Sequence, residues 1–132
     1  MDVSVTSVSK PGYLLIESTG NVASTEDLFG HAALVYAEII KYQHKRILLD
    51  NLGAKFPTQF YSYVELVDHY STALPPEIRA FKIAVVIAEG YKEFGKFWET
   101  IAVNRGFRFH AFTSFEDAQE WLLEGAIDHS MQ

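Results

Sequence analysis

Lys82-Ile83-Ala84-Val85-Val86-Ile87-Ala88 decides the fold. The run is apolar, largely β-branched and without polar alternation, so it reads as a strand covered on both faces, as in a parallel sheet. Such a strand needs helices on both sides, and the flanking sequence supplies them. Upstream, Pro57 suits the first turn of a helix carrying Phe60, Val64, Val67, Tyr70 and Leu74, and Pro75-Pro76 stops it. Downstream, Gly90 precedes a helix with Phe94, Phe97, Trp98 and Ile101 at i, i+3, i+4 and i+7, closed by Asn104-Arg105-Gly106.

Farther out the same alternation continues. Arg46-Ile47-Leu48-Leu49-Asp50 is a short apolar run ending in an acid, as expected of a central parallel strand. Before it, Ser24-Thr25-Glu26-Asp27 offers an N-cap and first-turn acids to a helix. That helix's stripe is Leu28, Ala32, Val35, Ile39 and Tyr42, widened by Phe29, Ala33, Tyr36 and Ile40. At the start, Val3, Val5 and Val8 alternate with Ser and Thr in a half-exposed strand. Lys10-Pro11-Gly12 turns it into Tyr13-Leu14-Leu15-Ile16, which implies an antiparallel hairpin. At the end, Phe107–Phe112 alternates as a last strand, and Ser114 caps a last helix whose inner stripe is Ala118, Leu122 and Ala126. The order ββαβαβαβα predicts an α/β fold, a five-stranded mixed sheet with four helices, mostly parallel after its N-terminal hairpin. With no linker, repeat or low-complexity segment, residues 1–132 read as a single domain.

Composition narrows the function classes. Hydrophobic residues are 48% and charged residues 21% of the chain, a globular and not a disordered balance. The net charge is −6 and the eleven basic residues are scattered, which disfavours nucleic-acid binding because phosphates require clustered Lys and Arg. Acids gather instead in the last stretch, at Glu116, Asp117, Glu120, Glu124 and Asp128. No cysteine is present, which excludes disulfides, thiolate metal sites and cysteine nucleophiles. Met1-Asp2-Val3-Ser4 does not resemble a signal peptide, and the longest apolar run is far shorter than the roughly 18 residues of a membrane span. A cytoplasmic protein is expected, with peripheral membrane contact as the alternative.

Three local patterns accompany this order. The hairpin leads through Gly20-Asn21-Val22 into Thr25-Glu26-Asp27-Leu28; Ile47-Leu48-Leu49 ends in Asp50; and Phe112-Thr113-Ser114-Phe115-Glu116-Asp117-Ala118 runs on to Trp121-Leu122. Together they resemble the SpoIIAA-like (STAS-like) family over about residues 3–127. The resemblance implies a non-enzymatic regulatory domain. The best-known members are anti-anti-sigma factors switched by phosphorylation of a Ser that follows an Asp after the Asp-ending strand. Here Asp50 is followed by Asn51-Leu52-Gly53-Ala54-Lys55-Phe56-Pro57-Thr58, without an Asp-Ser pair, so the switch does not carry over. Thr58 is the nearest hydroxyl. The chain looks closer to a divergent bacterial branch that resembles the lipid-binding Sec14-type fold.

Candidates for chemistry are few. Asp50 would lie where ligands of open α/β sheets gather, though an acid there more often hydrogen-bonds loop amides. Asp68-His69 is expected on a solvated helix face. His31, His44, His110 and His129 lack metal-ligand spacing, and His110 is expected half-buried with a hydrogen-bond partner. Gly90-Tyr91-Lys92-Glu93-Phe94-Gly95-Lys96 lacks the glycine pair and hydroxyl of a P-loop. No catalytic residue, cofactor or metal is assigned.

The surplus is aromatic, with ten Phe and seven Tyr. Phe56, Phe60, Tyr61 and Tyr63 open the second helix, and Tyr91, Phe94, Phe97 and Trp98 open the third. Most such rings are core. Yet neighbours on a helix point ~100° apart, so the pairs Phe60-Tyr61 and Phe97-Trp98 leave rings to spare. Phe56, Phe60, Tyr61, Tyr91, Phe94 and Trp98 are therefore the expected binding residues, with Asp50 and Thr58 as polar groups at the sheet edge. Two roles are open: docking of a protein partner, or of a second copy as a homodimer, and admission of an apolar ligand or membrane surface between those helices.

Overall fold

The computed structural model describes residues 2–125. Strands β1 (Asp2–Lys10), β2 (Tyr13–Asn21), β3 (Arg46–Lys55), β4 (Lys82–Val86) and β5 (Arg108–Phe112) form one sheet in that spatial order. β1 is antiparallel to β2 and the remaining neighbours are parallel. Helices α1 (Thr25–Ile39), α2 (Phe60–Ala73), α3 (Lys92–Asn104) and α4 (Phe115–Leu123) alternate with the strands, and short 3-10 turns at Pro76–Ala80 and Glu89–Tyr91 bracket β4. The expected element order and the antiparallel hairpin are both present.

α1, α2 and α3 cover one face of the sheet, where Leu14, Ile16, Ile47, Leu49, Val85 and Phe109 meet Leu28, Val35, Leu66, Val67, Trp98 and Ala102. Among the described residues α4 alone covers the other, over Tyr13, Leu15, Leu48, Ala84 and Val86. Val85 and Val86 are thus buried against opposite layers, which is why β4 carries no polar alternation. The C-terminus of α4 is held by cations from two strands. Lys82 Nζ donates to the Trp121 carbonyl at 2.6 Å and Arg46 Nε to that of Leu122 at 3.0 Å, placing positive charge at the helix's negative end. Burial lowers the Lys82 amine from its ordinary value. Ser24 and Ser114 cap α1 and α4 as expected, each accepting from the backbone N–H of an Asp, Asp27 and Asp117 respectively. The expected positions Ala126, Asp128 and His129 lie outside the described residues.

Glycine is needed at both ends of the hairpin. Gly20, at φ +114°, faces β1 so closely that a Cβ would fall 2.2 Å from the Asp2 carbonyl oxygen. Gly12 takes φ +87° after Pro11, as the third residue of a tight Pro-Gly turn requires.

Three expectations need correction. β3 does not end at Asp50 but continues to Lys55. Glu17 pairs with Asp50 and Thr19 with Gly53, so two steps along β2 match three along β3, and the extra residue is a β-bulge. Asp50 serves that bulge: its Oδ1 accepts the Leu52 N–H at 3.1 Å. Asp50 is therefore a mid-strand group supporting backbone, at the point where β4 runs out. Pro57 is not in the first turn of α2, which starts at Phe60 behind the cap residue Gln59. Finally, the buried face of α2 is Ser62, Tyr63, Leu66 and Val67, while Phe60 faces out. α1 likewise stops at Ile39 and leaves Ile40 exposed.

Candidate functional site

The carboxyl ends of β2 and β3 and the first turns of α1 and α2 surround an open cleft of about 480 Å³. Four of the expected residues line it: Phe56, Thr58, Tyr61 and Tyr91, with Lys55, Ser24 and Ser62. The extension of β3 past Asp50 creates this wall, because it carries Lys55 and Phe56 beyond the end of β4. The Lys55 carbonyl accepts the Val22 N–H at 2.8 Å, which ties the two loops together. Thr25 Oγ1 and Ser62 Oγ lie 2.9 Å apart in a hydrogen bond that fixes the start of α1 against that of α2. Thr58 is exposed in the cleft, and Asp50 is not among its lining residues.

Phe60, Phe94 and Trp98 occupy the seam between α2 and α3. Phe60 stacks on Phe94 (centroids 4.7 Å apart) and meets Phe97 (4.8 Å), while Tyr63 contacts both Phe94 and Trp98. These rings fill the seam and leave only about 10 Å³ above the buried Asn51. Tyr63 donates its hydroxyl to the Pro57 carbonyl at 2.7 Å, and burial pushes its phenol well above the usual range. Two rings keep a large exposed face: Phe60, at the outer rim of the seam, is 41% exposed and Tyr61 56%. Trp98, at 7%, is core.

A separate apolar cavity of about 80 Å³ lies under α1 and α2, between Leu28, Val35, Ile39, Leu66, Tyr70, Ile78 and Phe109. His31 lines it, hydrogen-bonded through Nε2 to Ser18 Oγ at 2.8 Å, and both residues are buried. Desolvation lowers the imidazole to about 4, so it is neutral near pH 7. The sequence does signal this position, since His31 lies at i+3 from Leu28 and i−4 from Val35 on the buried stripe. Asn51 is signalled in the same way, following Ile47 and Leu49 at the strand period of two.

The remaining candidates have structural partners. Asp68 pairs with Arg105, and His69 stacks flat on Phe29 at 4.2 Å. His110 is half-buried as expected and donates from Nδ1 to Glu99. Glu99 also accepts the Ala111 N–H at 2.7 Å, and Lys96 donates to the Ala111 carbonyl at 2.6 Å. Among the described residues no group of three or more His, Asp or Glu is placed to hold a metal, and no helix is long and apolar enough to cross a membrane.

No protein-family model matches the chain, and no curated protein matches its sequence. Solved structures do. One is an anti-sigma factor antagonist from Mycobacterium paratuberculosis, with a TM-score of 0.57 at 9% identity over 91% of this chain and 93% of that one. Another is an uncharacterised protein of the DUF3478 family with a SpoIIAA-like fold from Shewanella loihica PV-4, with a TM-score of 0.52 at 16% identity over 92% and 94%. The strand order, the antiparallel entry strand and the likeness over almost the full length of both chains give one conclusion: this chain has the SpoIIAA-like fold.

Proposed function

We propose that the chain is a regulatory binding module that docks a protein partner on the face formed by the start of α2, beside the carboxyl-edge cleft. The carrying observation is the exposure of Phe60 and Tyr61, adjacent aromatic rings at the rim of a cleft on a domain whose other rings are mostly packed. Exposed Tyr and Phe beside a concave surface are the usual anchors of an interface core. The fold shared with an anti-sigma factor antagonist supports a protein as the partner. The described side chains supply no nucleophile–base–orienter constellation in this cleft, which favours binding over catalysis.

The test is site-specific photocrosslinking from position 61 in the native host, with position 40 as control. Ile40 is 62% exposed but outside the cleft. One discrete adduct from position 61, absent from position 40 and lost when Phe60 is changed to Ser, is the expected result. An adduct with a second copy of the chain would make the module a homodimer. No adduct, or the same adduct from both positions, rejects the assignment.

The apolar cavity under α1 and α2 favours a second role, binding of an apolar ligand, because its lining is almost wholly hydrocarbon. Organic extraction of protein purified from its host, followed by mass spectrometry, is then expected to release about one equivalent of a single apolar compound. Extracts matching those of an unrelated control protein dismiss it.

A further inference from the structure

Asn51 is 1% exposed, yet among the described residues neither its Oδ1 nor its Nδ2 has a hydrogen-bond partner. A buried polar group left unpaired carries a desolvation cost that no bond offsets. Nothing in the sheet calls for that expense, because Ile47 and Leu49 precede Asn51 on the same face and another aliphatic residue would extend their row. Asn51 instead borders the 10 Å³ void, whose other lining is five aromatic residues together with Ile87 and Gly95. An uncharged group with one donor side and one acceptor side therefore forms the floor of an aromatic box.

As it stands, the void holds at most about one water. Its wall toward solvent is thin, however, since Phe56 and Tyr91 line both the void and the large open cleft. Of the two, Phe56 is buried and packed edge-on against His31 at 5.5 Å. Tyr91 is less constrained. It is half-buried at the end of a three-residue 3-10 turn, and it follows Gly90, where a Cβ would meet no atom within 4 Å. Rotation of the Tyr91 ring into the cleft would join the two spaces and vacate a ring-sized volume above Asn51.

We propose that Asn51 is the recognition group of a small-molecule site behind Tyr91, and that its ligand is a flat cyclic amide. The ring N–H of a lactam or imide donates to Asn51 Oδ1 while the adjacent carbonyl accepts from Nδ2, so both orphaned atoms are satisfied at once. The ligand's faces lie against Phe94, Tyr63 and Trp98, where planar rings gain most from stacking. A ligand with only a donor or only an acceptor leaves one carboxamide atom unpaired. A charged ligand finds no counter-charge, because every residue bordering the void is uncharged. The inference does not rest on docking at Phe60 and Tyr61.

The experiment titrates 2-pyridone into ¹⁵N-labelled protein and follows the Asn51 side-chain amide and Trp98 indole signals. N-methyl-2-pyridone and benzene serve as controls, and the Asn51→Leu variant, close in shape, removes the carboxamide. The expected result is a saturable shift with 2-pyridone, weakened at least about tenfold by N-methylation or by Asn51→Leu, since either leaves buried polar groups unpaired. Absence of saturable binding, as when the void holds only a water, overturns the proposal. Equal binding of the methylated and unmethylated probes also overturns it. That comparison uses the wild-type chain and so does not depend on the variant folding.

Discussion

Trp98→Ala is expected to destabilise the protein by about 3–5 kcal/mol, within the range for removing a buried large aromatic. Trp98 stands where three layers meet. Its ring packs 4.8 Å from Phe109 of β5 and 5.9 Å from Tyr63 of α2, and its Nε1 donates to the Tyr70 hydroxyl at 3.2 Å. Truncation would open a cavity continuous with the apolar space that Trp98 already lines, and would deprive a buried phenol of its donor. Burial pushes Tyr70 up to about 12, so the oxygen that loses this donor belongs to a neutral phenol. Trp98→Phe keeps most of the ring contact and should cost roughly half as much. Denaturant unfolding of both variants, read at constant m-value, checks this. A Trp98→Ala protein as stable as wild type would mean that the α2–α3 seam is not packed as described. Loss of binding in that variant would carry no information about a ligand, which is why Tyr61, Phe60 and Asn51 are the positions to probe.

The second large effect is an acid-sensitive fold centred on His31. The imidazole is 4% exposed and desolvation holds it at about 4, against an ordinary value of 6.5. The folded state therefore binds this proton less readily than the unfolded chain. Stability from this residue is fully present above about pH 6.5, falls as pH drops toward 4, and falls no further below that. A shift of about 2.5 units corresponds to roughly 3 kcal/mol at ~1.36 kcal/mol per unit. Carboxylates titrate in the lower half of the same window, so the informative quantity is a difference. His31→Gln retains a partner for Ser18 without a titrating group, and between pH 7 and pH 4.5 it should lose about 2–3 kcal/mol less than wild type. Parallel pH profiles for the two proteins would show that His31 is not held neutral by burial.

The legible parts of the sequence were those in which one physical requirement acts alone. β4 is buried on both faces, so every position after Lys82 is apolar, and the strand and its helical flanks follow. The caps of α1 and α4 were equally plain, because a serine with an acidic first turn has few other uses in that position. β3 was legible only as far as Asp50. Beyond it the bulge breaks the period of two, Asn51 is polar but buried, and Leu52 is apolar but exposed, so residue identity misleads at consecutive positions. α2 shows the same inversion, with Ser62 inside and Phe60 outside. Ser62 is tolerated because Thr25 satisfies its hydroxyl across the helix pair, a contact between residues 37 apart that no local pattern reveals. Phe60, Phe94 and Trp98 lie in the seam between α2 and α3, whereas Phe56, Tyr61 and Tyr91 line the cleft. Which rings close the seam and which stand out depended on the rotation of α2, and that rotation is set by the sheet beneath.

The seal on β5 bears on how copies of this chain could associate. Ala111 directs its N–H and carbonyl away from β4, toward the outer edge, and Glu99 and Lys96 occupy both. At the opposite margin β1 pairs only with β2 among the described residues, over nine residues and without a proline inside the strand. Open-ended fibres need two complementary free margins on each unit, one to accept and one to offer. A unit with one margin closed can join only like to like, β1 against β1, and that union consumes both free margins. Strand addition is therefore opposed at Ala111 of β5, and open-ended growth of this molecule with it.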